Sequence, residues 1–115
     1  MKPLVSVIET ATYLADATKL MSEAERGHVV DLLSADPECG DVIRGGGGIR
    51  KVRVPLAGRG KRGGARVIYY FSSRTIPVFL LTVFAKNRQE DLSAAQINRY
   101  AKIVKLIAQE FGDGT

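Results

Sequence analysis

The residues best suited to chemistry are basic side chains that recur along two strand-like runs of the sequence. Lys51 and Arg53 lie in the run 49–54, and Arg66 stands near the start of the run 65–71. Because side chains two positions apart on a strand project from the same face, Lys51 and Arg53 are predicted to share a face. Clustered cations attract and stabilise negative charge, so this pattern predicts a surface that handles a polyanion, with nucleic acid the natural target.

Charge is segregated along the chain in a way that supports this prediction. Residues 1–43 contain three basic and eight acidic residues, residues 44–89 contain eleven basic and no acidic residues, and residues 90–115 contain three basic and four acidic residues. A window of this length without a carboxylate attracts polyanions over a Debye length of about 8 Å. The alternative interpretation is that the cations only keep an exposed sheet soluble.

The connection between the two runs adds further cations. It contains a literal GxGxxG at residues 58–63, but the dinucleotide fingerprint needs a helix directly after the glycines and an acidic residue about 20 positions on. Here a strand-like run follows the glycines, and the first carboxylate after them is Glu90. We therefore predict a hairpin loop rich in cations, whose Arg59, Lys61 and Arg62 are candidates for nucleic-acid (RNA) binding from their charge and position.

Metal and cofactor sites are not indicated by the sequence. Cys39 is the single cysteine and lacks the Cys and His neighbours that zinc requires. His28 is the single histidine and falls in a predicted helix outside the basic window. Nothing resembles a carboxylate cage for Mg²⁺. We expect no metal and no small-molecule cofactor.

Length and composition indicate one globular domain covering residues 1–115. A chain of 115 residues can bury one core without disulfide bonds. Hydrophobic residues make up 45% and charged residues 25%, and no apolar run approaches the roughly 18 residues of a membrane span. The amino terminus does not resemble a signal peptide. We expect a cytoplasmic protein without membrane association.

The first third of the chain is predicted to form one strand and two helices. Residues 4–9 are rich in β-branched side chains and predict a strand. Apolar residues at helical spacing predict a helix from Ala11. A capping box beginning at Ser22 predicts a second helix, which should end before Pro37 because proline disfavours helix in the preceding residue.

The remaining elements follow from equally simple patterns. The four glycines at 45–48 predict a flexible loop. The nearly continuous apolar run 78–85 predicts a central strand, with Pro77 at its entrance. A capping box at Ser93 followed by apolar residues at helical spacing predicts a long helix ending near Gly112.

The resulting order is β-α-α-β-β-β-α, an α+β fold with a twisted, mainly antiparallel sheet. We expect the helices to pack on one face of this sheet, which leaves the other face partly open and basic.

The sequence resembles the RelE/HigB superfamily of type II toxins, and its HigB-type branch in particular. The similar stretches are Lys51-Val52-Arg53, a glycine-bearing loop, Gly64 to Tyr70, and Leu81 to Ser93, which includes AKNRQEDLS. The order and spacing of these short motifs extend the similarity over nearly the whole chain.

The resemblance implies an mRNA interferase, a metal-independent endoribonuclease that cuts translated mRNA in the ribosomal A site and inhibits translation. It implies a cognate helix-turn-helix antitoxin as partner, besides the ribosome and mRNA. By the same resemblance Lys51 and Arg53 orient the RNA backbone, Arg66 stabilises the scissile phosphate, and Lys86 contributes charge or acid catalysis with Arg88 as an RNA-binding neighbour.

The general base is left open by the resemblance. Some relatives have a tyrosine or histidine shortly after the last strand, where this chain has Gln89, Glu90 and Asp91. Glu90 and Asp91 are therefore the candidates. Two alternative functions also stay open: a ParE-like toxin that targets DNA gyrase, and a non-catalytic RNA- or ribosome-binding module.

Overall fold

Five strands and three helices follow one another in the order β-α-α-β-β-β-β-α in the computed structural model, which describes residues 3–56, 64–86, 89 and 91–111. The elements are β1 (Val7–Glu9), α1 (Ala11–Leu20), α2 (Glu23–Ala35), β2 (Asp41–Val42), β3 (Ile49–Val54), β4 (Ala65–Tyr70), β5 (Val78–Ala85) and α3 (Ala94–Phe111). Within these ranges no helix is both long enough and apolar enough to cross a membrane.

All five strands form one mixed sheet in the order β1-β5-β4-β3-β2. β1 runs parallel to β5, and the other neighbours are antiparallel. The predicted α+β class and mainly antiparallel sheet are confirmed. The two-residue strand β2 was not predicted, because two residues are too few to show an alternating pattern.

Side-chain caps begin the first two helices where the sequence predicted them. The hydroxyl of Thr10 accepts the backbone N–H of Tyr13 at 3.2 Å. The hydroxyl of Ser22 accepts the N–H of Glu25 at 3.1 Å, and the Glu25 carboxylate accepts the N–H of Ser22 at 2.8 Å. These bonds satisfy amide groups that have no partner within the helix, so they fix where each helix starts.

One hydrophobic core lies between the sheet and the pair α1 and α2. Tyr13 and Leu33 from these helices are fully buried against Val67, Tyr69 and other residues of the sheet. The sheet residues in this core alternate along β4, as one face of a strand requires.

A second core lies on the opposite face, beneath α3. Ile68 and Tyr70 of β4 pack with Ile49 of β3, and the cover is Val104 of α3. The expectation that every helix packs on one face is therefore wrong in this detail. The reason is visible in β4, where both sets of alternate residues include large apolar side chains, so both faces need covering.

The glycines at 45–48 form a turn with defined contacts where the sequence suggested a flexible loop. Gly45, Gly47 and Gly48 have φ values of 80°, 74° and 112°, which side chains with a Cβ rarely adopt. A Cβ on Gly47 would stand 3.2 Å from a methyl group of Val104. The absence of side chains thus lets the turn lie directly against α3.

The hydroxyl of Tyr69 ties the segment after α2 to the sheet. It donates to the carbonyl of Pro37 at 2.8 Å and accepts the N–H of Gly40 at 2.9 Å, and the Tyr69 side chain is fully buried. Burial raises the pKa of the Tyr69 phenol, so it stays protonated and able to donate.

Replacing Tyr69 with phenylalanine should lower the free energy of unfolding by about 1–3 kcal/mol, because a buried N–H and a buried carbonyl lose their partner. Urea denaturation monitored by circular dichroism measures this. Tyr100→Phe, on the half-exposed side of α3, serves as the control and should change stability by less than about 0.5 kcal/mol. Equal stability of the Tyr69 variant and the parent would contradict the proposed role of the hydroxyl.

Candidate functional site

Strand register brings Lys51, Arg53 and Arg66 onto one face of the sheet. Arg53 on β3 is the direct partner of Arg66 on β4, and Lys51 is the partner of Ile68. Since Ile68 belongs to the core beneath α3, these three residues lie on the face that α3 partly covers. We call Lys51, Arg53 and Arg66 the sheet cations. The predicted common face of Lys51 and Arg53 is confirmed.

Arg53 and Arg66 form a like-charge pair across two strands. Cβ atoms of directly opposed residues are about 4.5–5.5 Å apart, and like charges at this distance are destabilising. Arg53 is exposed and Arg66 is half-buried. Within the described part of the chain, the Nε of Arg66 is buried and has no hydrogen-bond partner. An anion bound between the two guanidinium groups would relieve the repulsion and supply the missing acceptor.

Phe84 adds an aromatic ring beside these cations. It is the direct partner of Arg66 on β5 and is only partly buried. The sequence placed it within an apolar central strand and gave no reason to single it out. Arg66 and Phe84 together offer a guanidinium group and a ring face, a combination on which nucleic-acid bases can stack.

Asp91 lies just before α3 and pairs with one of the sheet cations. Its Oδ2 is 2.5 Å from the Nζ of Lys51, and its Oδ1 accepts the N–H of Leu92 at 2.8 Å. The hydrogen bond from Lys51 lowers the pKa of the Asp91 carboxyl, and Arg66 adds to the effect through its charge. Both carboxylate oxygens are thus engaged in this state, so Asp91 is not poised to act as a general base.

Gln89 connects the end of β5 to the first turn of α3. Its amide nitrogen donates to the carbonyl of Asp91 and to the Oε1 of Gln96, each at 2.7 Å. The same oxygen of Gln96 accepts the N–H of Ser93 at 2.8 Å, and the Ser93 hydroxyl accepts the N–H of Gln96 at 3.2 Å. The predicted capping box is confirmed, and the structure shows that it also orients the segment containing Asp91.

Lys86 follows β5 directly, at the end of the sheet where the two arginines meet. Its N–H donates to the carbonyl of Gly64 at 3.1 Å, which continues the ladder one step beyond the strand. Lys86 therefore lies beside the start of β4, two residues from Arg66. The other predicted site residues lie outside the described residues: Arg59, Lys61, Arg62, Arg88 and Glu90.

Arg50 belongs to the basic window but faces away from the sheet cations. Its guanidinium donates to the carbonyls of Glu38 at 3.1 Å and Gly40 at 2.9 Å. It therefore fixes the position of the segment before β2. Counting the charges in residues 44–89 could not distinguish this structural arginine from the arginines of the candidate site.

His28 lies on the side of the sheet that α2 covers, opposite to the face of the sheet cations. It lines a groove of about 530 Å³ between α2 and the end of β3, together with Leu32, Val54 and Pro55. In the described ranges, no group of three or more His, Cys, Asp or Glu side chains is arranged to hold a metal ion.

A mixed sheet with helices on both faces, and with cations gathered on the face that α3 partly covers, defines a small α+β protein with an anion-attracting surface. Residues 37–112 match the family model described as RelE toxin of the RelE/RelB toxin-antitoxin system. A solved structure of an E. coli toxin RelE mutant in the free state is similar in fold, with a TM-score of 0.57 and 17% identity over 90% of this chain and 98% of that chain.

The chain belongs to the RelE toxin family. It is accordingly the toxin of a type II toxin-antitoxin system, and a cognate antitoxin is its partner. The expected RelE/HigB superfamily is confirmed at the level of the RelE toxin family.

Replacing Arg53 with glutamine should raise the free energy of unfolding by about 0.2–1 kcal/mol, because it removes the repulsion between directly opposed cations. Urea denaturation at low salt, where surface charges are least screened, measures the gain. Arg44→Gln removes an exposed cation from the turn before β3 and should give no comparable gain. A loss of stability in the Arg53 variant would show that the two arginines do not repel each other.

Asp91 should contribute to stability at neutral pH and not in strong acid. Its folded-state pKa is depressed from 3.8, so its contribution is present above pH 3.8 and disappears as pH falls through the folded value. The side chain is 48% exposed, so the effect should not exceed about 0.2–1 kcal/mol, as for surface ion pairs.

Asp91→Asn should therefore be less stable than the parent at neutral pH and equally stable at a pH low enough to protonate the carboxylate in both the folded and the unfolded state. Urea denaturation at the two pH values tests this difference. A stability deficit that persists unchanged in acid would assign the effect to the packing of the α3 start and not to the carboxylate charge.

Proposed function

We propose that this toxin is a ribosome-dependent mRNA interferase of the HigB-type branch. It cuts translated mRNA in the ribosomal A site of the cytoplasm and thereby inhibits translation. The proposal combines membership of the RelE family with the motifs in 51–53, 64–70 and 81–93 that resemble the HigB-type toxins.

The observation that carries the proposal is the direct opposition of Arg53 and Arg66 on the sheet face that α3 partly covers. This arrangement destabilises the protein alone and becomes favourable when a phosphate lies between the two groups. A fold that only needed solubility would not place its cations opposite one another. Lys51 extends the same surface along β3, as a phosphate backbone would require.

RNA can be cleaved by its own 2′-hydroxyl, and the site has groups for the stages of that reaction. A base takes the hydroxyl proton, the 2′ oxygen attacks phosphorus, and the bond to the 5′ oxygen breaks as that oxygen is protonated. Lys51 and Arg53 orient the backbone, and Arg66 stabilises the pentavalent phosphate. Lys86 lies at the edge where the leaving oxygen would emerge, and either Glu90 or Asp91 serves as the base.

Dependence on the ribosome follows from the chemistry and state of this site. Cations bind a phosphate backbone through charge, which does not by itself hold RNA with its 2′-hydroxyl in line with the leaving oxygen. The Asp91 carboxylate is engaged by Lys51. A message already held in the A site would supply the alignment that the toxin lacks.

A helix-turn-helix antitoxin fits the same surface. An acidic antitoxin segment laid over the sheet cations would neutralise them and exclude RNA, since electrostatic complementarity favours such a contact. This refines the cognate partner that family membership implies.

Arg66→Gln should lower cleavage of translated messages by about 10²–10³-fold, the usual loss when one charge-stabilising donor is removed. Expression of the toxin in cells, followed by mapping of message 5′ ends, measures the cuts. Arg74→Gln is a matched control, because Arg74 also has a buried Nε without a partner in the described residues but lies in the turn after β4, where its guanidinium donates to the carbonyl of Pro3. It should cleave like the parent.

The same experiment separates the other functions. Replication arrest with intact messages would identify a gyrase-directed toxin, and slowed translation without cuts would identify a non-catalytic ribosome-binding module. Either result overturns the proposed nuclease.

A further inference from the structure

Among the described residues, Lys51 is the sheet cation that already has a carboxylate partner. Its ammonium group is 2.5 Å from Oδ2 of Asp91, on a segment 40 residues later in the chain. Asp41 stands directly opposite Lys51 in the pairing of β2 with β3, yet the ion pair is made with Asp91. The start of α3 thus places a negative group on the surface that is proposed to receive RNA.

This ion pair is weak and accessible enough to be exchanged. The side chains of Lys51 and Asp91 are 24% and 48% exposed. Pairs of this kind contribute only about 0.2–1 kcal/mol, because solvent screens them and both side chains lose freedom. A phosphodiester on this face would meet Arg53 and Arg66 as well as Lys51, so it has more cation contacts available than the Asp91 carboxylate has.

We propose that Asp91 occupies the position on Lys51 that an RNA phosphate takes, and that binding of RNA exchanges the carboxylate for the phosphate. The inference rests on the proposed function and adds the regulation of that site by its own substrate. In free toxin Asp91 covers Lys51, and in the complex the Oδ2 of Asp91 is released.

Release of Oδ2 does not release the residue. Oδ1 still accepts the N–H of Leu92, and the Asp91 carbonyl still accepts the amide of Gln89. The carboxylate is therefore held at the edge of the bound RNA with one oxygen available. That oxygen takes the proton of the 2′-hydroxyl as the 2′ oxygen bonds to phosphorus, while the 5′ oxygen leaves and is protonated by Lys86 or by water.

The change in charge around Asp91 when RNA binds favours its role as the general base. In the described part of the chain, the charged groups that face Asp91 are Lys51 from β3 and Arg66 from β4. Asp41 on β2 faces Lys51 from the other side. Loss of the Lys51 bond and arrival of a phosphate both raise the pKa of Asp91, so the carboxylate becomes a better base when substrate is present. Free toxin, in contrast, holds its base inactive.

A double-mutant cycle for RNA binding tests the exchange. The probe is a short 2′-O-methyl RNA oligonucleotide, which cannot be cleaved, and fluorescence anisotropy at low salt gives its affinity. Asp91→Asn should tighten binding about three- to tenfold, because the competing carboxylate is removed. In the Lys51→Met background the same substitution should have no effect, since there is no ammonium group for which to compete.

Asp41→Asn is the matched control for general electrostatics. It removes one negative charge next to Lys51 without removing the ion pair, so its effect should be the same with Lys51 and in the Lys51→Met background. Equal tightening by Asp91→Asn in both backgrounds would overturn the exchange while leaving RNA binding intact. Failure of the unmodified toxin to bind the oligonucleotide at all would count against the exchange and against the proposed function together.

A measurement on the unmodified toxin avoids any dependence on the folding of variants. Carboxyl NMR of Asp91 should give a pKa below 3.8 in free toxin and a value at or above 3.8 when the oligonucleotide is bound. An Asp91 pKa that stays depressed in the complex would show that Lys51 keeps its carboxylate, which rules the exchange out.

Discussion

Burial of β4 on both faces is the constraint on which the rest of this structure depends. Val67 and Tyr69 face α1 and α2, whereas Ile68 and Tyr70 face α3. β4 also pairs with a strand on each side, β3 and β5. A strand held in this way has one permitted register, because a shift by one residue would send every apolar side chain to the wrong face. The fixed register is what places Arg66 opposite Arg53.

The sheet face that carries the cations has two parts: one packs beneath α3, and the other forms the candidate site. At one end of this face Ile49 and Tyr70 are covered by α3, and at the other end Arg53 and Arg66 stand opposite each other across β3 and β4. Asp91 and Gln89 lie at the boundary, where the chain leaves β5 and enters α3. The helix therefore completes the core and also sets the position of a charged group in the candidate site.

The concentration of positive charge on this surface favours the binding of an anionic partner. Three cations on one sheet face repel one another, and the described contacts offset one of them through Asp91. An anionic ligand, whether an RNA phosphate or an acidic antitoxin segment, would offset the repulsion between these cations. Under the proposed function, an RNA phosphate and an acidic antitoxin segment would compete for the same cations.

The sequence by itself determined the long elements, the helix caps and the shared face of Lys51 and Arg53, since these follow from periodicities within one segment. Only the tertiary structure decided that α3 covers the cationic side, that Arg50 binds backbone carbonyls while Arg53 stands opposite Arg66, and that Asp91 reaches Lys51 across 40 residues of chain. The difference has a physical reason. A local pattern shows which face of an element is apolar, but the choice of helix for each face and of partner for each charge depends on how separate elements pack in space.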